Sequence, residues 1–285
     1  MVPGAAHSMR AILLPLLVFA TTAAAAPPWT GPIFDAHLHY NDEAVSRYDI
    51  ATVRARFEKN RVGAILANSR PNDGTRALHA AASAPGWKGP RVVPFIRVYR
   101  DRGDYGTWFN NPDIFRMVVA EERRGFYRGI GEFHVFGRDA DTPVVKDIVA
   151  FAVAKNLVLH AHCDEEALEI LFGHDPRARI VWAHTGFSTP LPRLEKLLRK
   201  YPALVGELSY RSDVAAADGG LSPEWARMLR DHPKRFVAGS DTWVNERWES
   251  YSALIDGYRK WLGQLPADVA ERVAWRNGAE LFGLE

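Results

Sequence analysis

Two histidines one residue apart, His37 and His39, close the run Ile33-Phe34-Asp35-Ala36-His37-Leu38-His39. Side chains alternate along a strand, so Asp35, His37 and His39 are expected on one face, where two imidazoles can take a single divalent cation. Similar residues recur further on. Glu132 and His134 lie in Gly129-Ile130-Gly131-Glu132-Phe133-His134, and His160-Ala161-His162 repeats the spaced pair. His184 follows Val181-Trp182-Ala183, and Asp241 follows Val237-Ala238-Gly239-Ser240. Single polar residues ending apolar runs have little packing reason to be there.

The elements that must position these groups alternate along the chain. Apolar runs at 33–39, 62–68, 92–99, 129–136, 157–162, 180–184, 204–210 and 236–241 read as strands, bounded by turn residues. Helical periodicity fills 50–59, 76–82, 114–124, 144–155, 165–172, 191–200, 223–229 and 247–262, and a last helix is expected over 267–282. Asp164, Thr189-Pro190 and Ser222-Pro223 supply start signals. Repeated strand and helix alternation means parallel pairing, and eight units fit a single closed (β/α)8 TIM barrel with an additional C-terminal helix. An open doubly wound sheet is the alternative topology. In a barrel the candidate residues fall at the C-terminal strand ends, where such folds carry their chemistry.

Composition narrows the class. Residues 1–26 read as a secretory signal peptide, with a mildly basic start, an apolar core at 11–20 and a small-residue stretch ending in Ala24-Ala25-Ala26, which predicts a periplasmic or secreted protein. The remaining 27–285 are close to the ~250 residues typical of one barrel domain. A net charge of +2 with 25% charged residues argues against a nucleic-acid binder, and no further run approaches membrane-spanning length. The lone cysteine, Cys163, has no internal partner, so stability rests on an ordinary core.

Taken in order, these segments and Asn277-Gly278-Ala279-Glu280-Leu281-Phe282-Gly283 resemble the amidohydrolase superfamily of metal-dependent barrel hydrolases, in its amidohydrolase-related branch. The resemblance implies that His37 and His39 bind one metal and that Glu132 bridges to a second. It further implies that His162 or His160, with His184, holds the second ion, and that Asp241 contacts metal and handles the proton. His162 is preferred because it lies nearer the strand end. The metal implied is divalent, zinc first, with Mn, Fe or Ni as alternatives and one or two ions. Such an ion lowers the pKa of its water toward about 7 and polarises the bond under attack.

Other residues have supporting expectations. Asp35 is expected to orient a ligand imidazole. Arg97, Tyr99, Glu207 and Arg211 alternate onto inward faces, to grip a polar or anionic substrate or to form an ion-pair layer inside the barrel. His134 faces the same way as Glu132 and is a candidate substrate contact. Trp108, Phe109 and Trp243 are expected as aromatic walls at the mouth. The reading is a hydrolase of an amide, ester, lactone or related bond in a small molecule. A decarboxylase of the same branch and a non-catalytic metal-binding protein are the alternatives.

Overall fold

The computed structural model of the protein describes Met1 and residues 26–284. Apart from its end residues, the expected leader lies outside the described residues. The strands are β1 (Ile33–Leu38), β2 (Val62–Ala67), β3 (Arg91–Ile96), β4 (Gly129–Val135), β5 (Val158–Cys163), β6 (Ile180–Trp182), β7 (Leu204–Glu207) and β8 (Phe236–Val237). They pair in chain order, every neighbour parallel. The Ala36 N–H donates to the Ala238 carbonyl at 2.8 Å, and the Asp241 N–H to the His37 carbonyl at 2.6 Å. The chain after β8 thus returns to β1 and closes the barrel; the open-sheet alternative is ruled out.

Parallel neighbours require crossovers, and helices supply them. Helices Ile50–Lys59 and Leu191–Lys200 have the expected bounds. Asp49 and Asp164 accept from the backbone N–H of Thr52 and Ala167 at 2.7 and 2.8 Å, satisfying donors that a helix start leaves free. Thr189 does not cap its helix; its hydroxyl turns back to the Gly186 carbonyl. The helix expected over 247–262 is two, Asn245–Glu249 and Tyr251–Leu262, parted at Ser250. The C-terminal stretch is Ala267–Glu271, a π turn at Arg272–Arg276 and Asn277–Phe282. It closes the barrel floor: Phe282 lies 5.8 Å from Phe34 and 5.7 Å from Phe95, centroid to centroid, beside Val158, Val181 and Val237. Among the described residues no helix is long and apolar enough to cross a membrane.

Two irregularities re-aim side chains above that floor. Between Asp35 and Leu38, β1 takes three steps while β2 takes two, from Ile65 to Ala67. Between Gly131 and Phe133, β4 takes two steps while β5 takes one, from His160 to Ala161. Each extra residue is a bulge, the common device for redirecting one side chain beside a functional site. Beyond β6 and β8, which are shorter than expected, His184 and Asp241 adopt left-handed backbone with φ of 56° and 48°. Tyr210 and Phe187 do so too. Such conformations cost non-glycine residues on the order of 1–3 kcal/mol, so packing around them must hold them in place.

Candidate metal centre

Four buried or nearly buried groups converge where β1, β4 and the end of β8 meet. His37 Nε2 and His39 Nε2 are 3.1 Å apart. Asp241 Oδ1 stands 3.4 Å from the first and 3.0 Å from the second, and Glu132 Oε2 stands 3.4 and 3.3 Å away. Ligand atoms about 2.0–2.2 Å from a tetrahedrally held ion lie roughly 3.3–3.5 Å from one another. The five separations approach that spacing. Asp241 Oδ1 is also a buried oxygen with no hydrogen-bond partner, a costly state for a carboxylate unless a cation completes it. The donor set therefore fits a divalent ion.

The imidazoles are held from behind. His37 Nδ1 lies 2.8 Å from Glu207 Oε2, His39 Nδ1 2.7 Å from both the Asn68 carbonyl and Arg97 Nη1, and His184 Nδ1 3.0 Å from the Ser209 carbonyl. Each such contact turns Nε2 into the site, the orientation that metal-ligating histidines use. Glu207 reaches His37 because residue 239 is glycine. A Cβ there would lie 2.3 Å from Glu207 Oε1 and 2.7 Å from His37 Cβ.

Glu132 faces two ways. Its Oε2 addresses His37 and His39, while Oε1 lies 2.8 Å from His162 Nδ1, 3.7 Å from His184 Nε2 and 4.0 Å from His134 Nε2. Arg97 joins the inner side, with Nη2 3.3 Å from Glu132 Oε2. His160 lies deeper, its ring 4.4 Å from that of His37, and neither of its nitrogens has a partner. His162 borders the cavity and His160 does not.

Charges follow from this packing. Burial opposes protonation of His37, but Asp241, Glu132 and Glu207 overcome it and raise its pKa well above the usual value. Burial likewise opposes ionisation of Glu132 and Asp241, yet the charge of His37 holds both carboxyls below their ordinary range. Burial takes His160 well below its usual value and His134 down to about 3, so both are neutral near pH 7.

No protein-family model and no curated protein matches the chain. Solved structures do. A zinc-bound amidohydrolase from Burkholderia multivorans superposes with a TM-score of 0.56 at 20% identity, covering 89% of this chain and 99% of that one. A protein described as a 2-pyrone-4,6-dicarboxylic acid hydrolase, from Pseudomonas putida, gives 0.52 at 15% identity, over 89% of this chain and 98% of that one. A TatD family hydrolase from Entamoeba histolytica gives 0.59 at 11% identity, over 91% and 99%. The chain shares the (β/α)8 barrel fold of these proteins.

At the mouth of the barrel a cavity of about 340 Å³ is lined by Glu132, Asp241, Arg97 and the rings of Tyr105, His134, His162, His184, Phe187, Tyr210 and Trp243. Of the expected substrate contacts, Arg97, His134 and Trp243 border it; Tyr99 and Arg211 do not. Tyr99 is buried with its hydroxyl 2.8 Å from His134 Nδ1, one position below the wall. Arg211 is buried against the Trp225 ring and donates to the Thr185 and Thr189 carbonyls and to Asp213. It ties together the loops after β6 and β7. Trp108 and Phe109 are core residues, and the Trp108 N–H donates to the His134 carbonyl. Asp35 is a further correction: its carboxylate accepts from the Ser240 N–H and the Tyr251 hydroxyl, both at 2.8 Å, rather than reaching an imidazole. Glu207 holds the imidazole instead. Tyr105, Phe187 and Tyr210 escaped sequence reasoning, because loop residues carry no period that says where they point.

Proposed function

We propose that the protein is an exported, metal-dependent hydrolase of the amidohydrolase type, acting on an amide, ester, lactone or related bond of a small molecule. The mutual spacing of His37 Nε2, His39 Nε2, Glu132 Oε2 and Asp241 Oδ1 carries this reading. His37, His39, Glu132 and Asp241 would hold the first divalent ion, zinc by preference, with His184 and His162 on the far side of Glu132. Bound there, the ion supplies an acidified water and polarises the bond to be cleaved.

The chain's own residues supply the rest. Asp241 lines the cavity and is held ionised, so it takes a proton from the attacking water and returns it to the leaving atom, a role worth roughly 10²–10⁴ in rate. Glu207, Asn68 and Ser209 keep the imidazoles oriented. Tyr105, Phe187, Tyr210 and Trp243 form an aromatic wall that suits a flat, ring-bearing substrate. The leader at 1–26 supports export, which the mass of the secreted mature chain tests.

Purified protein reconstituted with zinc, screened against esters, lactones, amides and aromatic carboxylates, tests the reaction class. Ring opening or chain cleavage by water is the expected outcome. Release of carbon dioxide from a carboxylate without hydrolysis assigns a decarboxylase instead, and a chain that binds no divalent ion sinks both.

A further inference from the structure

The Tyr99 hydroxyl meets two nitrogens of one residue. It accepts the His134 backbone N–H at 2.6 Å and lies 2.8 Å from His134 Nδ1. Tyr99 is fully buried, and among the described residues its hydroxyl has no other hydrogen-bond partner. A buried phenol keeps its hydrogen and must place it on an acceptor, and Nδ1 is the acceptor in reach. These hydrogen bonds assign Nδ1 as bare and put the single hydrogen of the ring on Nε2. His37 is set the other way, because the group behind its Nδ1 is a carboxylate, which can only accept.

The His134 ring borders the mouth cavity with its side chain 23% exposed, and Nε2 stands 4.0 Å from Glu132 Oε1, beyond hydrogen-bond reach. The residue is held on several sides. Tyr99 takes its backbone N–H, the Trp108 N–H donates to its carbonyl at 2.7 Å, and the His162 ring packs 4.1 Å away, centroid to centroid. We propose that His134 is a catalytic residue that donates a hydrogen bond from Nε2 to the substrate oxygen on which negative charge develops, with Tyr99 as the positioning residue that fixes its tautomer. This rests on the hydrolase reading above. The hydrogen stays on Nε2 throughout. The bond strengthens as charge builds on the oxygen, and a donor already aimed at that oxygen needs no rearrangement when the charge appears.

Nitrogen NMR of protein labelled at histidine reads the tautomer without any substrate. The His134 ring, identified by its disappearance in His134→Gln, should carry its hydrogen on Nε2 and none on Nδ1, and Tyr99→Phe should mix or invert that pattern. Turnover tests the donor. His134→Phe keeps a ring and loses the N–H, so kcat on the substrate found by screening should fall about 10²–10³-fold with KM little changed. His134→Gln returns an N–H and should recover at least about tenfold of that loss. Zinc stoichiometry should be the same in wild type and both variants. Where His134→Phe fails to fold, His134→Leu serves the same comparison. A hydrogen on Nδ1 in the wild type overturns the proposal and leaves the hydrolase reading standing, as does a His134→Phe enzyme with wild-type kcat or with less bound zinc. A Tyr99→Phe spectrum identical to wild type overturns the positioning role of Tyr99. A wild type that hydrolyses nothing removes the hydrolase reading and the catalytic role of His134 with it.

Discussion

Glu207 and His37, 170 residues apart in sequence, meet through a 2.8 Å hydrogen bond between two side chains that are fully buried. The bond fixes which nitrogen of His37 faces the cavity. It also places a negative charge behind the imidazole, which strengthens it as a ligand.

Replacing Glu207 with Gln keeps the shape and removes the charge. Zinc affinity measured by calorimetry should fall about 10–100-fold, the usual effect of losing such a partner. Wild-type affinity in Glu207→Gln would show that His37 needs no charged anchor.

Asp241→Asn separates proton handling from metal holding. It should retain a bound ion at reduced affinity, while kcat on the substrate found by screening drops by roughly 10²–10⁴. Turnover within a few-fold of wild type would place the base elsewhere.

Stability should depend on metal. Without it, the buried Glu132, Asp241 and Glu207 carboxylates crowd together around His37. At a free zinc concentration 100 times Kd, binding adds about 2.7 kcal/mol, so the melting temperature should rise with added zinc and fall with chelator. A melting curve indifferent to both counts against an intrinsic site.

Arg211 is expected to matter for folding and not for substrate. Arg211→Met loses hydrogen bonds to two carbonyls and a carboxylate, a change on the order of 2–3 kcal/mol. The melting temperature should drop while KM of the folded enzyme stays put; the reverse pattern restores a substrate contact.

Asp104 sets an acid-side limit on the loop that carries Tyr105. Hydrogen bonds from Arg100 hold its carboxyl below the usual value. A depressed folded pKa stabilises above the unfolded value of about 3.9 and is lost as pH falls through the folded one. Denaturant unfolding followed down from pH 5 should show Asp104→Asn losing less stability than wild type in that window. Parallel curves would mean that the pair contributes nothing.

Much of this was legible in the chain because barrel strands announce themselves as apolar runs and because chain order alone fixes which strands are neighbours. His37, His39, Glu132, His162, His184 and Asp241 all fall at one end of the barrel for that reason. What periodicity could not supply was the exception to it. The β1 bulge falls between Asp35 and Leu38, and Glu207 does what Asp35 was expected to do. Inward-facing positions on β3 and β7 suggested substrate contacts, yet Tyr99 and Arg211 are spent on neighbouring protein groups. Tyr105, Phe187 and Tyr210 reach the cavity through loop geometry, two of them in left-handed backbone that no strand pattern implies.

The charge balance around Glu132 has a consequence for what the cavity admits. Three carboxylates, Glu132, Asp241 and Glu207, and one guanidinium, Arg97, touch the imidazole rings or one another. Together they carry two net negative charges, which one divalent ion neutralises. An ion held there would leave the centre near neutral, so selection among substrates would fall to the Tyr105, Phe187, Tyr210 and Trp243 rings at the mouth more than to net charge.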